Sequence, residues 1–268
     1  MRIKLFLSSM LLTISMTISA QSLSLQEESN VNTRISIAQD PNTLQETLQE
    51  LGKDVDFKVR CEVAKNPNTS IETLKKMAID NECRVRQEVA YNRNTPQETL
   101  RELAEDNNYL VRSEVAWNRN TPAEIIKELA KDEEFLVREK AAYNGSTSIE
   151  IVITLVKDSS YRVRMAVAKN ENIPIEILKE LAKDESANVR YNVAQNTNTP
   201  VEILSELAKD NNHMVRGEVA GNLNTPVETL KGLTKDVNEF VRRNATRNPN
   251  TPIDLSKELS NEQQNASH

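Results

Sequence analysis

Apolar positions along this chain come in two short bursts that repeat together. Between Val111 and Leu136, Val111, Val115 and Ala116 share one helical face, while Ile125, Ile126, Leu129 and Ala130 fall at i, i+1, i+4 and i+5 of a second helix. Asn118-Arg119-Asn120-Thr121-Pro122 separates the bursts, and Lys131-Asp132 follows them. The spacing predicts a helix, an Asn-rich turn, a second helix of about ten residues and an Asp-started turn. The Val-Arg pair that opens this unit recurs at Val59, Val85, Val111, Val137, Val163, Val189, Val215 and Val241, at intervals of 26 residues. A weaker ninth copy precedes them, with Thr33, Arg34, Ile37, Ala38 and Asp40 in register. The expectation is an all-α solenoid of about nine two-helix repeats over residues 33–260, without insertions.

Local chemistry suggests a job for each recurring residue. Thr121-Pro122-Ala123-Glu124 reads as a capping box, with Thr as N-cap, Pro in the first turn and Glu reaching back; the phrase returns at Thr95, Thr199 and Thr225, and at Thr251 with Asp254 for Glu. Asp132 reads as the N-cap of the following helix. The Asn series at 66, 92, 118, 144, 170, 196, 222 and 248 reads as turn structure, since Asn tolerates the left-handed conformation that ends a helix. Neither helix is long enough to stand alone, so stacking must supply the core. In the last copy Ala245, Thr246, Ser256 and Ser260 stand at positions that are elsewhere more apolar, as suits an exposed end.

The phrase VRxxVAxNxNTPxExLxxLAxD resembles the variant leucine-rich repeat family of bacterial proteins. That resemblance implies a right-handed α-solenoid, a superhelix of two short helices per repeat, with binding and scaffolding as its role rather than shared chemistry. The family's founding type holds an iron–sulfur centre on an N-terminal cysteine cluster. This chain has only Cys61 and Cys83, too few for four thiolates, so no cofactor is carried over.

The first twenty residues change the picture. Arg2 and Lys4 precede an apolar stretch from Leu5 to Ile18, and Ala20 closes it, the order of a secretory signal peptide. Residues 21–32 then form a polar N-terminal segment and 261–268 a disordered tail. The chain is expected to be exported, to the periplasm or outside the cell. Removing Arg2 and Lys4 lowers the basic count from 34 to 32 against 40 acidic residues, moving the net charge from −6 to −8. That balance argues against nucleic acid as a partner, and no later stretch is long enough to span a membrane.

Candidate chemistry is sparse. His213 and terminal His268 are the two histidines, there are five glycines, and no nucleophile elbow, zincin motif or phosphate loop occurs. No catalytic or metal residue is assigned and an enzyme is not expected. Arg34, Arg60, Arg86, Arg112, Arg138, Arg164, Arg190, Arg216 and Arg242 form a series that would suit an acidic partner, but Asp54, Asp80, Asp106, Asp132, Asp158, Asp184, Asp210 and Asp236 precede them by six residues. Matched series of both signs favour pairing between layers. The position after the Val-Ala pair varies: Lys65, Tyr91, Trp117, Tyr143, Lys169, Gln195, Gly221 and Arg247. Tyr91, Trp117 and Tyr143 would stand on adjacent layers, with Arg93 and Arg119 two residues beyond the first two, residue types that dominate binding hot spots. Two readings remain open: a recognition patch for a protein or peptide, or rings that merely cover the layer edge. A glycan is the alternative ligand, and no oligomeric state is implied. Phe57, Tyr109, Phe135, Tyr161 and Phe240 are read as packing. Cys61 and Cys83 are offset by one helical turn between layers, roughly 11 Å, which favours separate thiols over a disulfide. Asn144-Gly-Ser and Asn265-Ala-Ser fit glycosylation sequons.

Overall fold

The computed structural model describes residues 31–145 and 147–252, which hold seventeen α-helices and no strand. The signal-peptide stretch, residues 21–30, Ser146 of the first sequon, the end of the predicted solenoid with Asp254, Ser256 and Ser260, and the tail with the Asn265 sequon lie outside them. The chain divides into two compact units, between Asn120 and Thr121.

In the first unit α1 (Val31–Gln39), α3 (Phe57–Lys65), α5 (Cys83–Tyr91) and α7 (Tyr109–Trp117) have nine residues each. Between them stand α2 (Gln45–Leu51), α4 (Ile71–Met77) and α6 (Gln97–Leu103), with seven each. The second unit continues the alternation. Seven-residue α8 (Ala123–Leu129), α10 (Ile149–Leu155), α12 (Ile175–Leu181), α14 (Val201–Leu207) and α16 (Val227–Leu233) alternate with nine-residue α9 (Phe135–Tyr143), α11 (Tyr161–Lys169), α13 (Ala187–Gln195), α15 (His213–Gly221) and α17 (Glu239–Arg247).

Within each unit the nine-residue helices pack side by side, and each seven-residue helix packs against the nine-residue helix that follows it. The core follows the predicted faces. Val59, Val63 and Ala64 of α3, Val85, Val89 and Ala90 of α5, and Leu74 and Leu100 of the short helices are wholly buried. On six of the nine long helices a small Ala follows a buried Val, as at Val63-Ala64 and Val89-Ala90, which lets neighbouring backbones approach, and each buried Leu contributes roughly 1.5–3 kcal/mol of burial.

Three local expectations are corrected. Helix α6 begins at Gln97 with Pro96 as its N-cap, so the short helices have seven residues rather than ten. Thr95 does not cap it: its amide donates to the Asn92 carbonyl and its hydroxyl to that of Val89. Pro96 has no amide for a glutamate to reach, so no capping box closes; Glu98 still sits favourably in the first turn. Where Ser replaces Pro, at Ser70 and Ser148, its oxygen does accept from the third amide on.

Nor is the recurring Asp an N-cap. Asp80 lies two residues ahead of the cap residue Glu82, whose amide donates to Asp80 Oδ1 at 2.9 Å. The cap position itself varies, and at Asp56, Asn108, Asn212 and Asn238 its side chain accepts from an amide of the first turn.

The Asn residues are not left-handed. Asn92 closes α5 with φ −64° and ψ 129°, and no described residue has positive φ. Asn92 is buried because its side chain binds the preceding layer: Nδ2 donates to the carbonyls of Ala64 (2.6 Å) and Asn66 (3.2 Å), and Oδ1 accepts from the Asn94 amide (2.8 Å). Asn66, Asn118, Asn196, Asn222 and Asn248 donate in the same way to the Ala of the preceding layer.

Candidate functional site

Stacked repeats present to a partner only the side chains that packing between layers leaves over. The arginine series is spent. Arg60 Nε stands 2.6 Å from Asp80 Oδ2 and Nη2 2.9 Å from Oδ1, a two-pronged pair across one layer, while Nη1 donates to the Asp54 carbonyl at 2.7 Å. Arg34–Asp54, Arg86–Asp106, Arg138–Asp158, Arg164–Asp184, Arg190–Asp210 and Arg216–Asp236 repeat the geometry. The pairs are largely buried, at 16% and 11% side-chain exposure for Arg60 and Asp80. Burial disfavours the Asp80 carboxylate, but hydrogen bonds from Arg60 and the Glu82 amide and the charges of Arg60 and Arg86 outweigh it and hold the carboxyl below its ordinary range. This series sets register and leaves no row of open guanidinium groups for an acidic partner.

The last residue of each nine-residue helix points elsewhere. In the first unit these are Gln39, Lys65, Tyr91 and Trp117, all exposed, with Tyr91 at 55% and Trp117 at 43%. Tyr91 and Trp117 close α5 and α7, which pack side by side, so the structure brings two of the three predicted rings onto neighbouring layers. Arg93 and Arg119 are exposed in the turns that follow; the Arg93 carbonyl accepts from Asn120 Nδ2. Tyr143 belongs to the second unit, is half-buried, and has Lys169 Nζ 5.8 Å from its ring centroid.

Three carboxylates stand three residues before these positions. Glu62, Glu88 and Glu114 occupy one register on α3, α5 and α7, each half-buried. Lys65 Nζ lies 2.9 Å from Glu62 on its own helix and 3.7 Å from Glu88 on the next. Gln39 and Gln87 donate to Glu62 and Glu114 at 3.3 and 3.4 Å. Burial pushes the Glu88 carboxyl above its ordinary range; Lys65 opposes this, and Glu114 and Glu62 add to it. Sequence reasoning missed this column, although Glu at 62, 88 and 114 keeps the 26-residue interval that revealed the others.

The rings ahead of the Val-Arg pair, read from sequence as packing, are only partly so: Phe57 and Phe240 are half-buried, whereas Tyr109, Phe135 and Tyr161 are exposed. Arg84 lies over the Phe57 ring at 5.7 Å and Arg162 over Phe135 at 5.6 Å, cation–ring contacts between adjacent layers. Cys61 and Cys83 are free thiols, the first buried. Among the described residues no three His, Cys, Asp or Glu side chains gather as a metal site, and no helix is long and apolar enough to cross a membrane.

The comparisons with known proteins agree with this architecture. The leucine rich repeat variant family model matches residues 84–107, one turn of the repeat. A solved leucine-rich repeat variant, described as having a novel repetitive protein structural motif, is 25% identical, with 76% of this chain and 81% of that one covered and a TM-score of 0.57. The X-ray structure of YibA from E. coli is 21% identical over 70% of this chain and 82% of its own, with a TM-score of 0.49. A designed armadillo repeat protein in complex with the peptide (KR)4 is 17% identical over 86% and 99%, with a TM-score of 0.24, too low for its ligand to bear on this chain. No curated protein matches. The resemblance read from the repeat phrase is upheld: the chain is similar to leucine-rich repeat variants and shares their all-α repeat fold.

Proposed function

We propose that this protein is a non-enzymatic repeat scaffold that binds a protein or an extended peptide along the face formed by the ends of the nine-residue helices of its first unit. One observation carries the reading: Tyr91 and Trp117, large rings that close the neighbouring helices α5 and α7 at one register, remain exposed. Rings of this kind bring contact area at little entropy cost and dominate binding energetics. The same rings would suit stacking on sugar, the second reading. The order of charge and apolar residues over 1–20 supports a place of action outside the cytoplasm.

The test is capture from the source organism's envelope and culture supernatant, comparing the parent protein with a Tyr91→Ala/Trp117→Ala/Tyr143→Ala variant by mass spectrometry. A protein held by the parent and lost by the variant is the expected result. Equal capture by both removes the rings from the site, and elution by free sugars rather than peptides turns the reading to glycan binding.

A further inference from the structure

Lys65 shows what this face is built to hold. Its ammonium sits between carboxylates of two adjacent layers, 2.9 Å from Glu62 and 3.7 Å from Glu88. One layer on, the register repeats with Glu88 and Glu114 as the carboxylates, but Tyr91 takes the place of lysine and Trp117 follows on the next layer. The first inter-layer carboxylate pair thus receives a cation from the chain itself, whereas the second has an exposed ring at that register. Carboxylates beside aromatic faces are complementary to a basic side chain, the charge meeting the acids and the ring face.

We propose that Glu88 and Glu114, with Tyr91 and Trp117, form a site for a lysine or arginine side chain of an extended basic peptide. The proposal rests on the binding-face reading above and names the chemistry of its partner. The half-burial of the two carboxylates favours it, because a desolvated carboxylate gains more from an arriving cation than a fully hydrated one. Glu88 is held above its ordinary range by burial, which Lys65 opposes and Glu114 and Glu62 reinforce, so an added cation relieves an existing cost. Arg93 and Arg119, exposed in the turns beyond, are the opposing charges and define the competing outcome.

Trp117 is the single tryptophan of the chain, so its emission reports on this site directly. The full-length protein is titrated at low salt with blocked peptides (Lys-Ser)4, (Gln-Ser)4 and (Glu-Ser)4. The expected result is a saturable change in Trp117 emission with the Lys peptide, at least tenfold weaker binding of the Gln peptide, and no response to the Glu peptide. Glu88→Gln/Glu114→Gln should weaken the Lys peptide at least tenfold. Tyr91→Lys, a surface change that places a chain ammonium where Lys65 has one, should do the same. Glu176→Gln/Glu202→Gln, which removes equal charge from exposed positions of the other unit, should leave binding unchanged, separating the site from the chain's overall acidity. Binding of the Lys peptide that survives both Tyr91→Lys and the Glu88/Glu114 change, or preference for the Glu peptide, overturns the proposal. If no peptide binds while the captured partner is still lost with the rings, the face stands and its cation chemistry falls.

Discussion

Asn92 offers a sharp test of how the layers are joined. Its amide group makes three hydrogen bonds, two to carbonyls of the preceding layer at 2.6 and 3.2 Å and one from its own turn at 2.8 Å. Replacing Asn92 with Ala removes all three, each worth about 1 kcal/mol net, and strands the buried Ala64 carbonyl, which adds about 1–2 kcal/mol. The expected loss is therefore about 4–5 kcal/mol. Asn94, exposed and two residues on, makes one comparable cross-layer bond, from Nδ2 to the Pro67 carbonyl at 2.6 Å, and Asn94→Ala should cost about 1 kcal/mol or less because water replaces the lost partner. Asn92→Asp keeps the shape but turns a donor into a charge facing two carbonyls, and should be at least as damaging as Ala at pH 7. Urea unfolding followed by Trp117 emission and far-ultraviolet circular dichroism measures all three. Stacked repeats interact mainly with their neighbours, so the Asn92 variants should also broaden the transition or split it between the two probes. Losses for Asn92→Ala and Asn94→Ala that agree within 0.5 kcal/mol would refute the reasoning, since burial of the bonded group would then not matter.

Three further outcomes follow from other contacts. Asp80→Asn should cost about 2 kcal/mol at pH 7 by breaking the two-pronged Arg60 pair. Because the Asp80 carboxyl lies below its ordinary range, that stabilisation is complete above the unfolded carboxylate pKa and is lost as pH falls through the folded value, so urea midpoints of parent and variant should converge in acid. Gly217 has no room for a side chain: a Cβ there would lie 2.2 Å from the Phe240 ring. Gly217→Ala should therefore destabilise by about 1–2 kcal/mol, yet stabilise by up to about 1 kcal/mol in a Phe240→Ala background, where only helix propensity remains; equal effects in both backgrounds would deny the contact. Cys61 is buried, with its thiol pushed up to about 11 by burial and by Glu88, whereas Cys83 is half-buried. Iodoacetamide at pH 8 should label Cys83 more than tenfold faster, with Cys61 reacting at a comparable rate only in denaturant.

The sequence by itself determined the unit, its 26-residue period, the two helices and the faces they bury. Those follow from spacing: Val59, Val63 and Ala64 must share a side of any helix that contains them, and neither helix has a core until another repeat covers it. The tertiary structure decided what the polar residues do. Thr95, Asp80 and Asn92 each have a sound local role, as cap, cap and turn, and each takes a different one because a better partner is held nearby by folding. For Asn92 and Asp80 that partner lies 28 and 20 residues away, on the adjacent layer, beyond the reach of local pattern. The candidate site divides in the same way. Tyr91 and Trp117 were legible as departures from a repeating position, and Glu62, Glu88 and Glu114 keep the same interval, but that Lys65 links two of these carboxylates across two helices is fixed only by the stacked layers. Apolar burial depends mainly on which face a residue occupies, which periodicity encodes; a hydrogen bond or ion pair depends on which atom stands within 3 Å, which only the stacked layers fix.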